Sequence, residues 1–451
     1  MLERIFKIKE NNSTIFKELI AGLTSFMAIS YAIFIIPSLL SQTGMNYQAV
    51  YGATILASAL GTLTMGLIGN VPYVQSAGIG IASLITYTIC GNLGYTWQQA
   101  LAMVFICSII NILITMTNIK KKIIKAIPEF IQEAITVGMG LFIAYIGLSN
   151  AGIISFGASS ITNGIANDVV PRLSTFSNNS VLLAIIGLII TIILVVKKVK
   201  GAYLISIIVT TLIGIPMGVT GTPDFTNYTV FPDISSTFMK MDLAGLFNVK
   251  SAILVVMMTI FTLCLSDLFD TLGIFIATGK KSGIFKLDEH GNMSKKLEKA
   301  ILVDSFGTLY ASIFGTSNVT TYVESSSGIE AGGRTGLTSV VTAVCLILTL
   351  LLSPIIKCVP MAAIAPILVM VGASLLENVG KINFKDLAIG IPAFFTIIMM
   401  PLGYSISTGI EFGFITYIIT FLASGRRKEI QPMMYVFSSL FILQYIFNAI
   451  M

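Results

Sequence analysis

The sequence predicts an all-α integral membrane protein whose 14 transmembrane segments form a 7+7 inverted repeat. Three observations predict this fold: the composition, the positions of the basic residues, and a motif that occurs once in each half of the chain. Hydrophobic residues make up 55% of the 451 residues, and charged residues only 11%. Soluble domains carry about 25% charged residues. Because so few charges cannot cover a surface that faces water, lipid is the expected solvent for much of the chain.

Apolar runs of about 17–25 residues, the length of a helix that crosses a bilayer, recur along the chain. Helices are predicted because each span must satisfy its own backbone in lipid, and because the period-two alternation of a barrel is absent. The predicted spans lie near residues 18–42, 49–69, 72–91, 97–118, 125–148, 179–197, 201–219, 250–279, 298–314, 319–333, 336–356, 361–377, 386–400 and 403–424. A last apolar stretch, 432–450, is either an extra span or an interfacial helix.

The basic residues orient these spans. Their clusters lie at residues 4–17, 120–125, 197–200, 279–299 and 425–428. When the spans are threaded from a cytoplasmic N-terminus, all of these clusters fall on the cytoplasmic side, as the positive-inside rule requires. The loops near 150–178 and 220–248 then lie outside and carry few basic residues. The sequence thus predicts a multi-pass protein of the cytoplasmic (cell) membrane with a cytoplasmic N-terminus.

A short motif occurs in both halves of the chain. GTLTMGLIG (61–69) resembles GTLYASIFG (307–315). Each is followed by a matching segment, NVPYVQSAGI (70–79) in the first half and NVTTYVESSSGI (318–329) in the second. Seven spans per half is an odd number, so the two halves must have opposite orientations in the membrane. Such inverted repeats are typical of secondary transporters.

The two matching segments are poor continuous helices, because they contain Pro72, Gly78 and Gly328 among β-branched and polar residues. Each is predicted to form a short strand followed by a half-helix, in spans three and ten, and the two strands are expected to pair. The first N–H groups of both half-helices are then expected to be free for substrate acceptors. Paired breaks at membrane depth indicate a transport site. The alternative interpretation is that the glycines only permit close helix packing.

Ionisable and polar residues fall inside the predicted spans. Asp267 and Asp270 lie three residues apart in span eight and share a helix face; Glu324 lies at the break in span ten, and Gln75 takes the equivalent place in span three. A carboxylate in hydrocarbon is costly, so such residues must face a cavity, pair with another group, or hold a proton. Carboxylates accept N–H bonds from a planar heterocycle, and backbone N–H groups bind its carbonyls. These properties suit a neutral nucleobase carried with a proton, although a structural role for the two aspartates is the alternative.

The predicted substrate-binding residues are Glu324, Asp267, Tyr322, Gln75, Ser325 and Gly78, and the predicted proton-coupling residues are Asp267, Asp270 and Glu324. Tyr322 is a candidate for stacking on a flat ring, although a single tyrosine is more often packing. Asp304 and Glu330 are predicted to be structural. Arg334 is predicted to anchor the cytoplasmic end of span ten, and the alternative is that its charge partners an acidic residue of the core. The five cysteines and the single histidine, His290, have no metal-ligand spacing, so neither a metal nor a cofactor is predicted.

At these residues the chain resembles the AzgA-like hypoxanthine/guanine/adenine permeases, a branch of the nucleobase–cation symporters. The resemblance runs over almost the whole length and is carried by residues 21–40, by SDLFDTLG (266–273), by GTSNVTTYVESSSGIEAGGRTGLT (315–338) and by residues 391–417. It implies proton-coupled purine uptake. Residue by residue, the acidic positions of span eight fall on Asp267 and Asp270, and the glutamate that holds the base falls on Glu324.

The resemblance also implies a division of the chain. Spans one to four (residues 1–119) and eight to eleven (249–358) form a core, and spans five to seven (120–248) and twelve to fourteen (359–424) form a gate against which the core moves. Residues 425–451 are a cytoplasmic linker and an apolar C-terminal helix. Related transporters are often dimers through the gate, so a homodimer is one expectation.

One segment departs from the family pattern. The branch usually reads A-P-G-M-G-L-N-A-Y-F in span three, where this chain has SAGIGIASLI (76–85). The proline is replaced by Ala77, and the asparagine, which is thought to help hold substrate, is replaced by Ala82. The sequence therefore leaves open which base is carried, and a non-purine heterocycle is one alternative.

Two other functions compete with this hypothesis. An anion transporter on the same fold is favoured by the positive half-helix N-termini, but Asp267 and Glu324 work against an anion. An intramembrane aspartyl protease using Asp267 and Asp270 is disfavoured, because two residues three apart on one helix do not flank a peptide bond from opposite sides. No enzyme activity and no nucleic-acid partner are predicted.

Overall fold

The structure is a computed structural model of the chain that describes residues 2–117, 127–158, 161–162, 165–166, 169–221, 232–247, 253–282, 284–285, 295–352 and 358–450. The predominance of helix in these ranges agrees with the sequence prediction. The α-helices are α1 (Leu2–Phe6), α2 (Ile15–Ile29), α3 (Ala32–Leu40), α4 (Tyr47–Thr64), α5 (Ile79–Ser83), α6 (Trp97–Met116), α7 (Glu129–Asn150), α8 (Asn179–Val196), α9 (Ala202–Gly214), α10 (Leu243–Phe247), α11 (Ile253–Ser282), α12 (Lys295–Phe314), α13 (Ser325–Glu330), α14 (Gly336–Leu348), α15 (Met361–Leu375), α16 (Leu387–Leu402), α17 (Ile406–Ala423) and α18 (Pro432–Ile450). Some of them continue as 3₁₀- or π-helix, at Ser41–Thr43, Met65–Gly69, Leu84–Asn92, Thr349–Leu352 and Leu376–Lys381.

Short strands lie between some of these helices. They are β1 (Gln75–Ala77), β2 (Ile154–Ala158), β3 (Ile161–Thr162), β4 (Ile165–Ala166), β5 (Val169–Leu173) and β6 (Val319–Thr321). The pairs β2–β5 and β3–β4 are antiparallel and lie in the segment for which the sequence predicted only a loop, near 150–178. The all-α prediction is therefore incomplete. The extended backbone in this segment satisfies its hydrogen bonds by antiparallel pairing. The strands have only two to five residues each, so an alternation of side chains within them is too short to be recognised in the sequence.

Seven helical stretches among the described residues are long and apolar enough to cross a membrane. They are Ile15–Thr43, Tyr47–Gly69, Trp97–Met116, Glu129–Asn150, Asn179–Val196, Met361–Lys381 and Ile406–Ala423. Shorter apolar helices occur at Ile79–Asn92, Ala202–Gly214, Val255–Asp267, Gly336–Leu352, Leu387–Leu402 and Pro432–Leu443. Large apolar side chains such as Ile189, Ile193 and Val196 on α8 are exposed on the outside, where lipid would cover them. The count of fourteen crossings stays a prediction.

The helices pack in two groups, and each group takes helices from both halves of the chain. In one group, α14 contacts α2 and α4, α12 contacts α4 and α6, and α6 contacts α11. In the other group, α7 contacts α15 and α16, α16 contacts α17, and α8 contacts α9 and α15. This exchange of helices between halves brings segments some 250 residues apart into contact at the centre of the first group.

A buried carboxylate joins α2 to the start of α14. Glu18 in α2 is 0% exposed. Its Oε1 accepts the N–H of Arg334 at 3.0 Å, and its Oε2 accepts the N–H groups of Thr335 and Thr338, each at 3.3 Å. The hydroxyl of Thr338 also donates to Oε2, at 2.5 Å. Helix N-termini leave N–H groups unsatisfied and favour negative charge, so Glu18 caps a helix from the other half of the chain.

The side chain of Arg334 binds the end of α13. Its Nη1 donates to the carbonyl oxygens of Ile329 at 2.6 Å and of Gly333 at 2.7 Å. A cation is favoured at a helix C-terminus, where carbonyl groups lack intrahelical partners. This position agrees with the predicted role of Arg334 as an anchor at the end of span ten.

The last helix, α18, packs along α17. The hydroxyl of Ser438 donates to the carbonyl of Phe414 at 3.0 Å, and the hydroxyl of Tyr445 donates to Oε2 of Glu411 at 2.5 Å. In the preceding linker, Arg426 forms an ion pair of 2.7 Å with Glu429. The Arg426 guanidinium beside Glu429 holds the pKa of that carboxyl below its usual value. The C-terminal segment is thus an ordered part of the second helix group.

Candidate functional site

Two short strands cross at the centre of the first helix group. β1 and β6 pair antiparallel, with Gln75 opposite Thr321 and Ala77 opposite Val319. All residues of both strands are buried. This confirms the prediction that spans three and ten are broken and that their extended pieces pair. The glycines in these segments therefore do more than permit helix packing.

The pairing continues by one hydrogen bond at each end. The N–H of Gly78 donates to the carbonyl of Asn318 at 2.8 Å, and the N–H of Tyr322 donates to the carbonyl of Val74 at 3.0 Å. Buried backbone groups need such partners, since no water reaches them in the membrane interior. The backbone groups at both ends of the strand pair therefore bond across the pair, and each strand is followed by a half-helix.

The repeated Gly-Thr pair of the sequence motif explains why helices can approach this crossing. A Cβ at Gly61 would lie 2.8 Å from the amide oxygen of Gln75, and a Cβ at Gly307 would lie 3.0 Å from the side chain of Val319. A real Cβ is not tolerated at such distances without displacement of its neighbour. Glycine at both positions allows α4 and α12 to pack directly on the strands.

The threonine that follows each glycine binds a strand carbonyl. The hydroxyl of Thr62 donates to the carbonyl of Gln75 at 2.9 Å, and the hydroxyl of Thr308 donates to the carbonyl of Val319 at 3.1 Å. The two copies of the motif thus perform the same two tasks in the two halves of the chain. This equivalence supports the interpretation of the motif as a true internal repeat.

The two half-helices start differently. In α5, the first intrahelical bond runs from the N–H of Ala82 to the carbonyl of Gly78 at 2.8 Å, so the three N–H groups between them precede it. In α13, the N–H groups of residues 325–327 donate to the carbonyls of residues 322–324 at 3.2, 2.9 and 3.0 Å. The expectation of free N–H groups at both half-helices is therefore wrong for α13, because a tight turn before the helix already uses them.

Glu324 is the residue immediately before α13. Its Oε1 accepts a hydrogen bond from the hydroxyl of Tyr31, which lies between α2 and α3. Tyr31 is 1% exposed, whereas part of Glu324 remains accessible. A carboxylate has about four acceptor positions, so a single tyrosine donor leaves capacity for the N–H groups of a planar ligand. Glu324 is thus a partly accessible residue whose carboxylate is held in place by Tyr31.

Tyr322 and Ser325, two other predicted site residues, are engaged within the protein. The hydroxyl of Tyr322 donates to the carbonyl of Ala77 in β1. The hydroxyl oxygen of Ser325 accepts the N–H of Val74 at 3.0 Å and donates to the carbonyl of Tyr322 at 2.6 Å. Both side chains therefore fasten the half-helix α13 to the strand crossing, and their contact with substrate stays a prediction.

Asp267 lies at the Val319 end of the crossing and is 2% exposed. Nδ2 of Asn111 donates to its Oδ2 at 2.7 Å, and the hydroxyl of Thr308 donates to the same oxygen at 3.4 Å. Within the described part of the chain, the amide oxygens of Asn111 and Asn318 are buried without a hydrogen-bond partner. Unsatisfied buried oxygens are rare in native proteins, so these two distinguish the surroundings of Asp267 from an ordinary packed core.

Asp304 and Gln75 form a second buried centre at the opposite end of the strand pair. Nε2 of Gln75 and the hydroxyl of Thr321 each donate to Oδ1 of Asp304 at 2.8 Å, and the hydroxyl of Thr271 donates to Oδ2 at 2.7 Å. Gln75 is 0% exposed. The arrangement agrees with the structural role predicted for Asp304. It gives Gln75 a structural task that the sequence did not reveal, and its contact with substrate stays a prediction.

Asp270, predicted as a proton-coupling residue, has its side chain outside the described part of the structure. Two residues that contact the predicted carboxylates were missed by the sequence analysis, Tyr31 and Asn111. Asn111 had a signal, since a lone amide in an apolar span is costly and marks a polar partner. Tyr31 had none, because tyrosine is an ordinary residue of such helices.

Replacing Asn111 by leucine is expected to lower the stability of the protein and its transport rate, because buried Asp267 loses the nearer of the two donors described above. An unsatisfied buried acceptor costs about 1–3 kcal/mol, and more when it is charged. Thermal melting in detergent, read by size-exclusion chromatography, measures the change. Asn150→Leu is the matched control, since Asn150 donates to the hydroxyl of Tyr87 at 3.2 Å in a partly exposed, neutral pair. Equal melting shifts for the two variants would contradict a special role for the Asn111–Asp267 bond.

Comparison with known proteins places the chain in a family. Residues 16–412 match the permease family. An adenine permease of Escherichia coli is 36% identical, with 99% of this chain and 96% of that protein covered. A guanine/hypoxanthine permease of Bacillus subtilis is 34% identical, with 99% of this chain and 100% of that protein covered.

Solved structures of low sequence identity share the fold. The transmembrane domain of a cyanobacterial bicarbonate transporter superposes with a TM-score of 0.59 at 15% identity, covering 90% of this chain and 96% of that one. At this identity the likeness concerns the fold alone. The family match and the full-length relatives confirm the resemblance seen in the sequence and the expectation of a transporter rather than an enzyme. The chain therefore belongs to the permease family and is a multi-pass membrane protein.

Proposed function

We propose that this permease takes up a purine nucleobase together with a proton, by alternating access across the cell membrane. The observation that carries the proposal is Glu324, a partly accessible residue beside the strand crossing whose carboxylate is held by the Tyr31 hydroxyl. A carboxylate accepts parallel N–H bonds from the edge of a purine, and charge-assisted bonds of this kind are strong. A neutral base adds no second charge to bury, which suits a site within an apolar helix group.

The relatives support the same class of substrate. Proteins named as adenine and guanine/hypoxanthine permeases align over nearly the whole chain at 34–36% identity. Ala77 and Ala82 near the crossing leave the choice among purines open, because their methyl groups offer no hydrogen bond to an exocyclic oxygen or amine. Adenine, guanine and hypoxanthine are therefore all candidate substrates.

The proposed proton carriers are Asp267, Asp270 and Glu324. Asp267 accepts hydrogen bonds from the amide of Asn111 and the hydroxyl of Thr308, and among the described residues the amide oxygen of the same Asn111 has no hydrogen-bond partner. A proton on such a carboxylate removes the cost of a buried charge, so proton binding and base binding at neighbouring groups favour each other. Substrate movement would then follow the proton gradient.

The proposed architecture has fourteen spans with the N-terminus in the cytoplasm. The core comprises residues 1–119 and 249–358, and the gate comprises residues 120–248 and 359–424. The two packing groups of helices support this division, since the first contains the strand crossing and the second contains α7–α9 and α15–α17. A homodimer through the gate stays a prediction.

Purified protein in liposomes is expected to accumulate labelled adenine, guanine or hypoxanthine when the outside is made acidic. With one proton per base, one pH unit sustains roughly tenfold accumulation, because about 1.4 kcal/mol corresponds to a factor of ten. A protonophore is expected to abolish accumulation and leave exchange of bound base. Accumulation that persists after the gradient is collapsed would contradict proton coupling.

The same assay tests the anion alternative. Sulfate and bicarbonate are expected not to compete with the base, because Glu324 and Asp267 would repel an anion at the crossing. Uptake of labelled sulfate or bicarbonate by the same liposomes, without uptake of any base, would favour an anion transporter on this fold.

A further inference from the structure

A cavity of about 580 Å³ lies between the two helix groups, beside the basic loop that follows α8. Its walls come from Thr24 and Ala28 of α2, from residues 198–203 before and at the start of α9, and from Ser327 and Glu330 of α13. The loop contains Lys198 and Lys200. Basic residues of this kind mark the cytoplasmic face, so the cavity belongs to the same face as the basic N-terminal segment.

The inner end of this cavity lies one helical turn from the proposed binding carboxylate. Ser327 lines the cavity and follows Glu324 by three residues, a spacing that places two side chains on one helix face. Glu324 itself does not line the cavity. A ligand that leaves Glu324 along α13 would therefore enter the cavity after one turn, provided that nothing blocks the step.

An aromatic contact links the wall of the cavity to the residue that holds Glu324. Tyr203, the second residue of α9, lines the cavity. Its ring meets the ring of Tyr31 edge-on, with centroids 5.0 Å apart and planes at 74°. Tyr31 in turn donates to Oε1 of Glu324. The contacts therefore form an unbroken series from the cavity wall, through two aromatic rings, to the carboxylate.

The start of α9 is seated directly on α2. Gly201 has φ +71°, a conformation that other residues adopt only with strain, and a Cβ there would lie 3.1 Å from the side chain of Met27. Tyr203 follows this glycine by two residues. Because α2 and α9 belong to different helix groups, any movement of one group against the other changes the Tyr31–Tyr203 contact.

We infer that Tyr203 is the inner gate residue that closes the passage between Glu324 and the cytoplasmic cavity, with Tyr31 as its partner. The inference rests on the proposed role of Glu324 as the base-binding residue. A base bound to Glu324 would share the carboxylate with the hydroxyl of Tyr31, so base binding and the Tyr31–Tyr203 contact act on each other. The edge-on contact contains no hydrogen bond between the two rings, so the rings can separate without breaking one. The hydroxyl of Tyr203 has its hydrogen bond with Ser374 of α15, within the second helix group.

Carbodiimide labelling tests the gate without relying on a substrate. Membrane vesicles with the N-terminal face outward are treated with a water-soluble carbodiimide and an amine, and amide formation at each glutamate is read by mass spectrometry. Glu330 is exposed in the cavity and reports that the reagent arrived. In the wild type, we expect Glu324 to react about tenfold more slowly than Glu330, the factor that corresponds to about 1.4 kcal/mol.

Three variants of Tyr203 sharpen the test. Tyr203→Ala removes the ring and is expected to bring the labelling rate of Glu324 close to that of Glu330. Tyr203→Phe keeps the ring and is expected to preserve the protection. Tyr203→Leu fills part of the volume without an aromatic edge and is expected to behave like Tyr203→Ala, which covers the case that the alanine variant folds poorly.

Two outcomes would overturn the inference. One is wild-type labelling of Glu324 as fast as that of Glu330, and the other is continued protection of Glu324 in Tyr203→Ala and Tyr203→Leu. Adenine binding to the same samples separates this inference from the proposed function. A protein that binds no purine but depends on Tyr203 for protection would reject the proposed function and retain the gate, whereas a purine-binding protein without that dependence would reject the gate alone.

Discussion

Replacing Glu324 by glutamine is expected to abolish purine binding while the protein still folds. The amide oxygen of glutamine can accept the bond from Tyr31, so the contact that holds this side chain is kept. The amide NH₂ group cannot accept the N–H groups of a base, and the charge-assisted bonds are lost. Two such bonds at about 1.5 kcal/mol or more each amount to about 3 kcal/mol, which is over a hundredfold in affinity.

Isothermal titration or thermal shift with adenine, guanine and hypoxanthine measures this loss. A ligand that binds the folded form raises its apparent stability by mass action, so the wild type should shift and the variant should not. Glu377→Gln makes the same chemical change at an exposed position and is expected to bind like the wild type. Affinity retained within about threefold in Glu324→Gln, less than the effect of one lost charged bond, would move the binding site elsewhere.

Replacing Glu18 by alanine is expected to cause the largest loss of stability of any single charge removal in the described core. Glu18 is fully buried and accepts bonds from two N–H groups at the start of α14, from the N–H of Arg334, and from the hydroxyl of Thr338. Its removal leaves these donors without a partner in a place that water does not reach. An unsatisfied buried donor costs about 1–3 kcal/mol, and here several donors lose their partner together.

The melting temperature of the detergent-solubilised protein and its yield in membranes measure this effect. Glu10→Ala is the matched control, because Glu10 pairs with Lys7 at 3.2 Å on the surface of the same N-terminal segment. Exposed pairs contribute about 0–1 kcal/mol. If Glu18→Ala melts within one degree of Glu10→Ala, the buried cap does not stabilise the contact between α2 and α14.

The broken segments show how far local sequence can predict a membrane site. Pro72, Gly78 and the β-branched run at Val319–Thr321 disfavour a continuous helix, and the equal spacing of the two copies indicated that they meet. The antiparallel pairing of β1 and β6 confirmed that prediction. Local propensity was sufficient here because an extended strand in lipid has few partners other than another strand.

The starts of the half-helices show where the same reasoning fails. Both were expected to present free N–H groups, but residues 325–327 donate to the turn that precedes α13. The two copies differ in this respect because the second segment has a longer run, YVESSS (322–327), between its strand and its glycine. The extra residues allow a tight turn before α13, and no pattern in the sequence predicted the hydrogen bonds of that turn.

The sequence by itself determined that much of this protein lies in lipid, where spans three and ten are broken, and which carboxylates fall inside apolar spans. Composition, backbone propensity and the cost of a buried charge can each be judged from the local sequence. The tertiary structure alone decided their partners: Tyr31 for Glu324, Asn111 for Asp267, and Asp304 for Gln75. These partners are separated by 293, 156 and 229 residues. Helical periodicity tells which residues share a face, but it does not tell which helix that face meets. That choice is made only when the two inverted halves pack together around the crossed strands.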